Sequence, residues 1–324
     1  MCYNEIGDNM KKLSIIVPCY NEEDNISLFY EEVLKEIKKL SKRITYEIIF
    51  INDGSIDNTL NEIKKLCKND KNIKYISFSR NFFKEAGIYA GLKNAKGDLV
   101  VVMDVDLQDP PSLLKDMLDA IEKENYDICG TRRTTRKGEN IIKTIGAKSF
   151  YKIINKMSDA NITPGARDYR MMTRQVVNSI LKISEYNRFS KGIFGWVGFN
   201  TKWLEYENIE RKKGKSKINI KKLISYAIDG ITAFSTTPLI FSSILGLCLM
   251  IVAFIAIIII IAKTLIWGDP VNGWPSLACI ILFLSGVQLL SLGIIGEYLS
   301  KTYLETKNRP IYIVKESNID NENN

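Results

Sequence analysis

Asp104-Val105-Asp106, followed by Gln108, closes the apolar run Leu99-Val100-Val101-Val102-Met103. Carboxylates this close together at the mouth of a buried strand are costly, because a desolvated carboxylate needs a cation or a donor beside it. Hard divalent cations such as Mg²⁺ and Mn²⁺ take oxygen ligands of this kind. They keep several waters and bind through one or two carboxylates plus a substrate's phosphates. The spacing therefore points to a metal–diphosphate site. An Asp after a strand also serves as a turn residue or a helix N-cap, and Asp109-Pro110-Pro111 reads as a helix start with Pro in the first turn. The motif alone does not decide between these.

The elements that must position it are legible around it. Residues 13–17, 47–51, 73–78, 98–103 and 127–130 are short apolar or β-rich runs, and periodic helical segments lie near 24–40, 57–67, 84–95 and 112–124. Strands alternating with helices imply a parallel, doubly wound sheet, in which ligands bind outside the carboxyl ends of the strands. The polar clusters fall at those ends: Pro18-Cys19-Tyr20-Asn21-Glu22, Asn52-Asp53-Gly54-Ser55, Ser79-Arg80-Asn81 and the Asp104–Asp106 pair. Consecutive strands thus deliver polar residues to one edge, which argues for an active site more strongly than any one cluster does. Residues 131–210 are less regular. Asp168-Tyr169-Arg170-Met171-Met172 reads as a short strand, and Arg188-Phe189-Ser190-Lys191-Gly192 precedes an aromatic stretch ending at Trp196.

The chain has 324 residues, room for about two domains, a net charge of +8 and no histidine. The last point removes His-based acid–base chemistry, His-containing zinc sites and Ser-His-Asp triads. Cys2, Cys19, Cys67, Cys129, Cys248 and Cys279 are scattered without CxxC spacing and read as reduced thiols. Residues 1–12 are polar and show no signal peptide.

Residues 238–262 and 274–296 are almost continuously apolar, each long enough for the roughly 20 residues a membrane span needs. The connection holds Trp267, Gly268, Asp269 and Pro270, and its one basic residue is Lys263. Basic residues crowd the outer ends: Arg211, Lys212, Lys213, Lys215, Lys217, Lys221 and Lys222 before, Lys301, Lys307, Arg309 and Lys315 after. By the positive-inside rule this is a multi-pass membrane hairpin with the large N-terminal domain and both termini cytoplasmic. The basic cluster suits anionic lipid or a phosphate. Ile220, Leu223, Ile224, Ala227, Ile228, Ile231 and Phe234 recur at helical spacing opposite Lys221, Lys222, Ser225 and Asp229. This predicts an amphipathic helix in the membrane interface, with a plain core helix as the alternative. Gly286, Gly293 and Gly296 suit close helix contacts or face lipid. The tail after Val314 is polar and Asn-rich and reads as disordered. Because the basic residues concentrate beside the spans with few aromatics among them, nucleic acid is not an expected partner.

In order, Val17 to Glu22, Asn52 to Thr59, Arg80-Asn81-Phe82, Asp104 to Pro111, Asp168-Tyr169-Arg170, Arg188 to Gly192 and Arg211 to Lys217 resemble a family 2 glycosyltransferase of the GT-A fold. The branch is that of the polyprenyl-phosphate glycosyltransferases, bactoprenol glucosyltransferases and dolichol-phosphate mannose synthases among them, and the likeness spans about residues 12–315. The resemblance implies an α/β, Rossmann-like, mostly parallel GT-A sheet domain (1–210). A basic segment and interfacial helix (211–236), a hairpin (237–300, with spans near 238–262 and 274–299) and a cytoplasmic tail (301–324) follow it.

It implies that Pro18, Tyr20, Glu22, Asp53, Arg80 and Asp104 bind the nucleotide. Asp104, Asp106 and Gln108 would hold Mg²⁺ or Mn²⁺ and the diphosphate. Arg188, Lys191, Arg211, Ser216 and Lys217 would bind the acceptor or donor phosphates, and Asp168 and Asp106 would be catalytic. Asp168 orients the acceptor, binds the sugar, acts as base, or is a structural partner of Arg167 or Arg170. The implied reaction is an inverting transfer of a hexose to polyprenyl phosphate at the inner membrane by a homo-oligomer, a tetramer by resemblance. Glucose from UDP-glucose is favoured over UDP-GlcNAc, GDP-mannose or a modified arabinose. The non-enzymatic alternative is a membrane-anchored nucleotide-sugar-binding subunit. Asn52 departs from the Asp common in the family, and the Gln-x-x-Arg-Trp element of processive polymerases is absent.

Overall fold

The computed structural model describes residues 10–133, 162–207, 230–267 and 273–319. The strands are β1 (Lys11–Cys19), β2 (Ile44–Asn52), β3 (Ile73–Phe78), β4 (Leu99–Val102), β5 (Ile128–Arg133), β6 (Ala166–Thr173), β7 (Thr201–Tyr206) and β8 (Val314–Ser317). They form one eight-stranded sheet in the order β7-β5-β6-β4-β1-β2-β3-β8. The centre, β4-β1-β2-β3, is parallel; β6 enters antiparallel to β4 and β5, and β8 antiparallel to β3. The architecture is the α/β one that the alternation of strand and helix patterns predicts.

Burial on both faces explains why the central strands read as unbroken apolar runs. In β1, Leu13, Ile15 and Val17 join one core cluster while Ile16 joins the other; in β4, Leu99 and Val101 alternate with Val100 and Val102 in the same way. On the first face lies α1 (Ile26–Leu40), whose buried Ile26, Phe29, Val33, Ile37 and Leu40 follow helical spacing. α2 (Thr59–Asn69) and α4 (Leu114–Glu124), the latter led by a 3₁₀ turn at Pro111–Leu113, complete the layers near it. On the second face lies α3 (Phe83–Asn94), rich in small residues because it presses on the sheet: a Cβ on Gly91 would meet Ile16 Cγ2 at 2.1 Å. α5 (Arg174–Leu181) and α6 (Ser190–Trp196) follow β6.

The tail departs from expectation. Its residues through Ile319 are ordered, not disordered: β8 pairs with β3, and the Asn318 side chain accepts from Tyr75 N (2.6 Å) and donates to Ile73 O (3.2 Å). Tyr312 stacks on Phe78 with ring centroids 4.9 Å apart. An open strand edge presents unpaired backbone groups, and here a distant segment satisfies them. The sheet of the N-terminal domain therefore takes its last strand from the segment assigned to the tail.

α7 (Thr237–Trp267) and α8 (Trp274–Thr306) are both long and apolar enough to cross a membrane. Large side chains such as Phe241, Phe254 and Leu289 are exposed along them. α8 runs past the apolar stretch, and its Glu305 Oε1 accepts from Tyr186 N at 2.8 Å, tying this helix to the sheet domain. Most of the expected interfacial helix lies outside the described residues. The described part, 230–234, is helical, and its Phe234 ring lies 6.1 Å from that of Phe189.

Candidate active site

The loops after β1 and β2 hold each other. Asn21 N donates to Ser55 Oγ (3.0 Å), Ile56 N to Asn21 Oδ1 (2.9 Å) and Glu22 N to Thr59 Oγ1 (2.8 Å). Asn52 donates through its amide to Ser77 Oγ at 2.9 Å, tying the end of β2 to β3. Gly54 has φ +62°, and a Cβ there would lie 2.4 Å from Arg80 C, so the β2 and β3 loops touch backbone to backbone. Asp53 is 4 % exposed and its Oδ1 accepts from Phe82 N at 2.6 Å. Burial pushes its carboxyl up to about 6, against the pull of the Phe82 and Phe83 N–H groups. Arg80 lies over the Phe82 ring, 4.2 Å from its centroid. Tyr20 is exposed, and Pro18 lies against α3, where a Gly87 Cβ would stand 3.4 Å away. The residues expected to bind nucleotide thus share one sheet edge.

At the end of β4 the register decides the geometry. Val102 pairs with Arg170, so continuing the antiparallel register sets Asp104 opposite Asp168. Lys84, in the first turn of α3, bridges them: its Nζ is 2.7 Å from Asp104 Oδ1 and 2.6 Å from Asp168 Oδ2. Arg167 Nη2 stands 3.8 Å from Asp104 Oδ2 and donates to Gln108 Oε1 at 3.4 Å, where Arg133 Nη2 also donates, at 3.2 Å. Asp106 Oδ1 accepts from Gln108 N at 3.2 Å across Leu107, which is left-handed at φ 56°.

Asp109 does not cap the helix that follows. It is buried, accepts from Arg167 Nε (3.2 Å) and from the Tyr206 hydroxyl, and so anchors Arg167 from behind.

The charges are strongly coupled. Burial alone would push Asp168 up, but Lys84, then Lys191 and Arg170, hold it well below the usual carboxylate range. Burial disfavours the Lys84 ammonium, yet Asp104 and Asp168 keep it above its ordinary value. Glu85 is raised by burial and accepts from Ser190 N at 2.9 Å, joining α3 to α6. Burial lowers Arg170 to about 10, against the pull of Asp168; its guanidinium lies 3.8 Å from the Phe194 ring centroid.

The structure therefore brings together Asp104, Asp106, Gln108 and Asp168, with Lys191 close enough to act on Asp168. The partner of Asp168 is Lys84, not Arg167, whose ion pairs go to Asp104 and Asp109. Arg188 is turned elsewhere: it is buried, donates to Ile183 O and lies 4.5 Å from the Tyr89 ring centroid. Arg211, Ser216 and Lys217 lie outside the described residues. Sequence reasoning missed Lys84 and Asp109 as site residues. Lys84 could have been found from its place just after Arg80-Asn81-Phe82, at the start of the helix leaving the same sheet edge.

Among the described residues no group of three or more His, Cys, Asp or Glu gathers as a metal site. Two carboxylates and an amide oxygen nevertheless suit a hard divalent cation whose remaining ligands are water and substrate phosphate. The flanking Lys84, Arg133 and Arg167 suit an anionic ligand.

A family model described as glycosyl transferase family 2 matches residues 14–181. CsbB of Bacillus subtilis, provisionally described as a glycosyltransferase, is 46 % identical over 309 residues, 95 % of this chain and 93 % of that one. The SfII prophage-derived bactoprenol glucosyl transferase of Shigella flexneri is 43 % identical over 310 residues, 96 % of this chain and 99 % of that one. The prophage bactoprenol glucosyl transferase homolog of Escherichia coli K12 is 42 % identical over 304 residues, covering 94 % and 98 %.

Proposed function

The chain belongs to glycosyl transferase family 2 and is a glycosyltransferase. From that premise we propose that it transfers glucose from UDP-glucose to polyprenyl phosphate at the cytoplasmic face of a membrane, with inversion at the anomeric carbon. The observation that carries this reading is the 43 % identity to the Shigella flexneri bactoprenol glucosyl transferase, which covers 96 % of the chain and so extends through both apolar helices.

Pro18, Tyr20, Glu22, Asp53 and Arg80 line the nucleotide. Asp104, Asp106 and Gln108 hold Mg²⁺ or Mn²⁺, which when bound neutralises the charge that the leaving diphosphate gains. Arg133 and Arg167, converging on Gln108 Oε1, add positive charge beside the diphosphate. An oxygen of the acceptor phosphate attacks the anomeric carbon; the bond to the donor's phosphate oxygen breaks, and UDP leaves with the electron pair. A phosphate monoester loses its second proton near pH 6, so the nucleophile is ionised at neutral pH and needs no strong base. Asp168, held ionised beside Lys84, is a poor proton acceptor and acts by orienting the acceptor. α7 and α8 cross the bilayer and keep this site at the interface, where the acceptor's headgroup is; the basic composition of residues 211–217 suits anionic lipid or a phosphate. The assembly is a homo-oligomer.

The test is to incubate the purified full-length chain in detergent with Mn²⁺, undecaprenyl phosphate and UDP-glucose, UDP-GlcNAc or GDP-mannose, and to weigh the lipid product. A hexosyl-phospho-lipid from UDP-glucose is expected. Product from another donor instead would overturn the sugar assignment. Nucleotide-sugar binding without release of nucleoside diphosphate from any donor would overturn the reaction and leave a binding subunit.

A further inference from the structure

Both Asp104 oxygens face a cation: Oδ1 the Lys84 ammonium at 2.7 Å, Oδ2 the Arg167 guanidinium at 3.8 Å. The same ammonium is 2.6 Å from Asp168 Oδ2, so one lysine joins the carboxylate expected to hold a metal to the one expected to orient the acceptor. Its backbone is fixed by α3, which also packs on the sheet through Gly87 and Gly91, and the neighbouring Glu85 is pinned to Ser190. The ammonium is thus delivered by a rigid element, while the side chain that carries it is half-buried.

A bare divalent cation entering here must displace the ammonium and the guanidinium that already pair with Asp104. A cation arriving with a diphosphate brings the negative charge that offsets both groups. We infer that Lys84 is a positioning residue that holds Asp104 against Asp168 in the free enzyme and yields Asp104 to a divalent cation only when that cation arrives with the donor's diphosphate. Metal and nucleotide then load as one unit, and Lys84 stays on Asp168 to meet the acceptor's phosphate. This rests on the reading of Asp104 as a cation ligand, so the experiment tests the two separately.

The probe is Mn²⁺, titrated by electron paramagnetic resonance into the detergent-solubilised full chain, with and without UDP. The wild type is expected to bind Mn²⁺ alone at least about tenfold more weakly than with UDP, a difference of about 1.4 kcal/mol. Lys84→Met is expected to bind Mn²⁺ alone about tenfold more tightly than the wild type does, and to lose most of the dependence on UDP. Lys84→Arg, which keeps the charge, is expected to retain the wild-type pattern; it also serves as the control should Lys84→Met unfold, because a rise in its metal affinity would contradict charge exclusion. A tighter site on removing a side chain is a result that mere loss of structure does not give. If Asp104→Asn binds Mn²⁺–UDP as well as the wild type does, the ligand reading itself falls. If Asp104→Asn loses the metal but Lys84→Met matches the wild type, the ligand reading stands and the role of Lys84 is overturned.

Discussion

Asp53 is held ionised at neutral pH at a cost to folding. Its carboxyl is 4 % exposed, and burial raises it from an ordinary 3.8 to about 6 although Phe82 N donates to it at 2.6 Å. The folded-state pKa lies above the unfolded one, so folding favours the protonated form. The penalty is absent below 3.8, grows as pH rises, and is complete above about 6. At 1.36 kcal/mol per unit the ionised group destabilises the fold at neutral pH by about 3 kcal/mol. Asp53→Asn keeps an oxygen for Phe82 N and removes the charge. For a sheet domain of this size, the corresponding rise in Tm at pH 7 is roughly 6–12 °C. Differential scanning fluorimetry of the detergent-solubilised chain measures it across pH 4 to 8, and isothermal titration with UDP measures the functional side. The gain should be full at pH 7, shrink below pH 6 and nearly vanish near pH 4. UDP affinity should fall about tenfold, as expected for the loss of about 1.4 kcal/mol. A variant no more stable than the wild type at pH 7, or equally stabilised at pH 4 and 7, would refute the reasoning.

Asp168→Asn should lower turnover on the order of 100-fold, far more than it weakens donor binding, because orientation of the acceptor is lost; near-wild-type kcat in a lipid-product assay removes it from the reaction. Glu47 shows the opposite pH sign from Asp53. Burial would raise it, but Lys12, Ser14, Lys96 N and Lys74 hold it down from 4.5 to about 2. Its contribution of about 3 kcal/mol is present above pH 4.5 and lost as pH falls toward 2. Glu47→Gln should therefore lower Tm at pH 7 by a margin that has narrowed by about half at pH 3 and closes only near pH 2, and a constant margin contradicts this. Ending the chain at Lys307 removes β8 and Tyr312, opening the β3 edge and freeing Ser79 N from Ile313 O. A lower Tm, association between copies through the open edge and weaker UDP binding should follow, whereas unchanged melting and binding would show the strand to be dispensable.

Much of the fold was legible because the central strands are buried on both faces and the flanking helices carry a clear stripe. Residues 73–78 were read as a strand and form β3, and Ile26 to Leu40 follows the spacing that marked 24–40 as a helix. β8 was not legible: four residues, Val314–Ser317, with half-exposed side chains carry no periodic pattern, and what orders them is backbone pairing to a strand 243 positions away at Asn318–Tyr75.

The site divides in the same way. Residue types and their order alone placed Asp104, Asp106 and Gln108 at one sheet edge with the clusters after β1, β2 and β3, since parallel strands can only deliver their carboxyl ends to one edge. Which charges neutralise which was decided by tertiary structure. The register Val102↔Arg170 sets Asp168 opposite Asp104, and the start of α3 then places one ammonium between them. Arg188, equally basic in sequence, is drawn instead to Ile183 O and the Tyr89 ring. Spacing along the chain fixes which face or edge a residue occupies; only the pairing of distant segments fixes the few ångströms over which carboxylate and cation meet, and those distances govern charge.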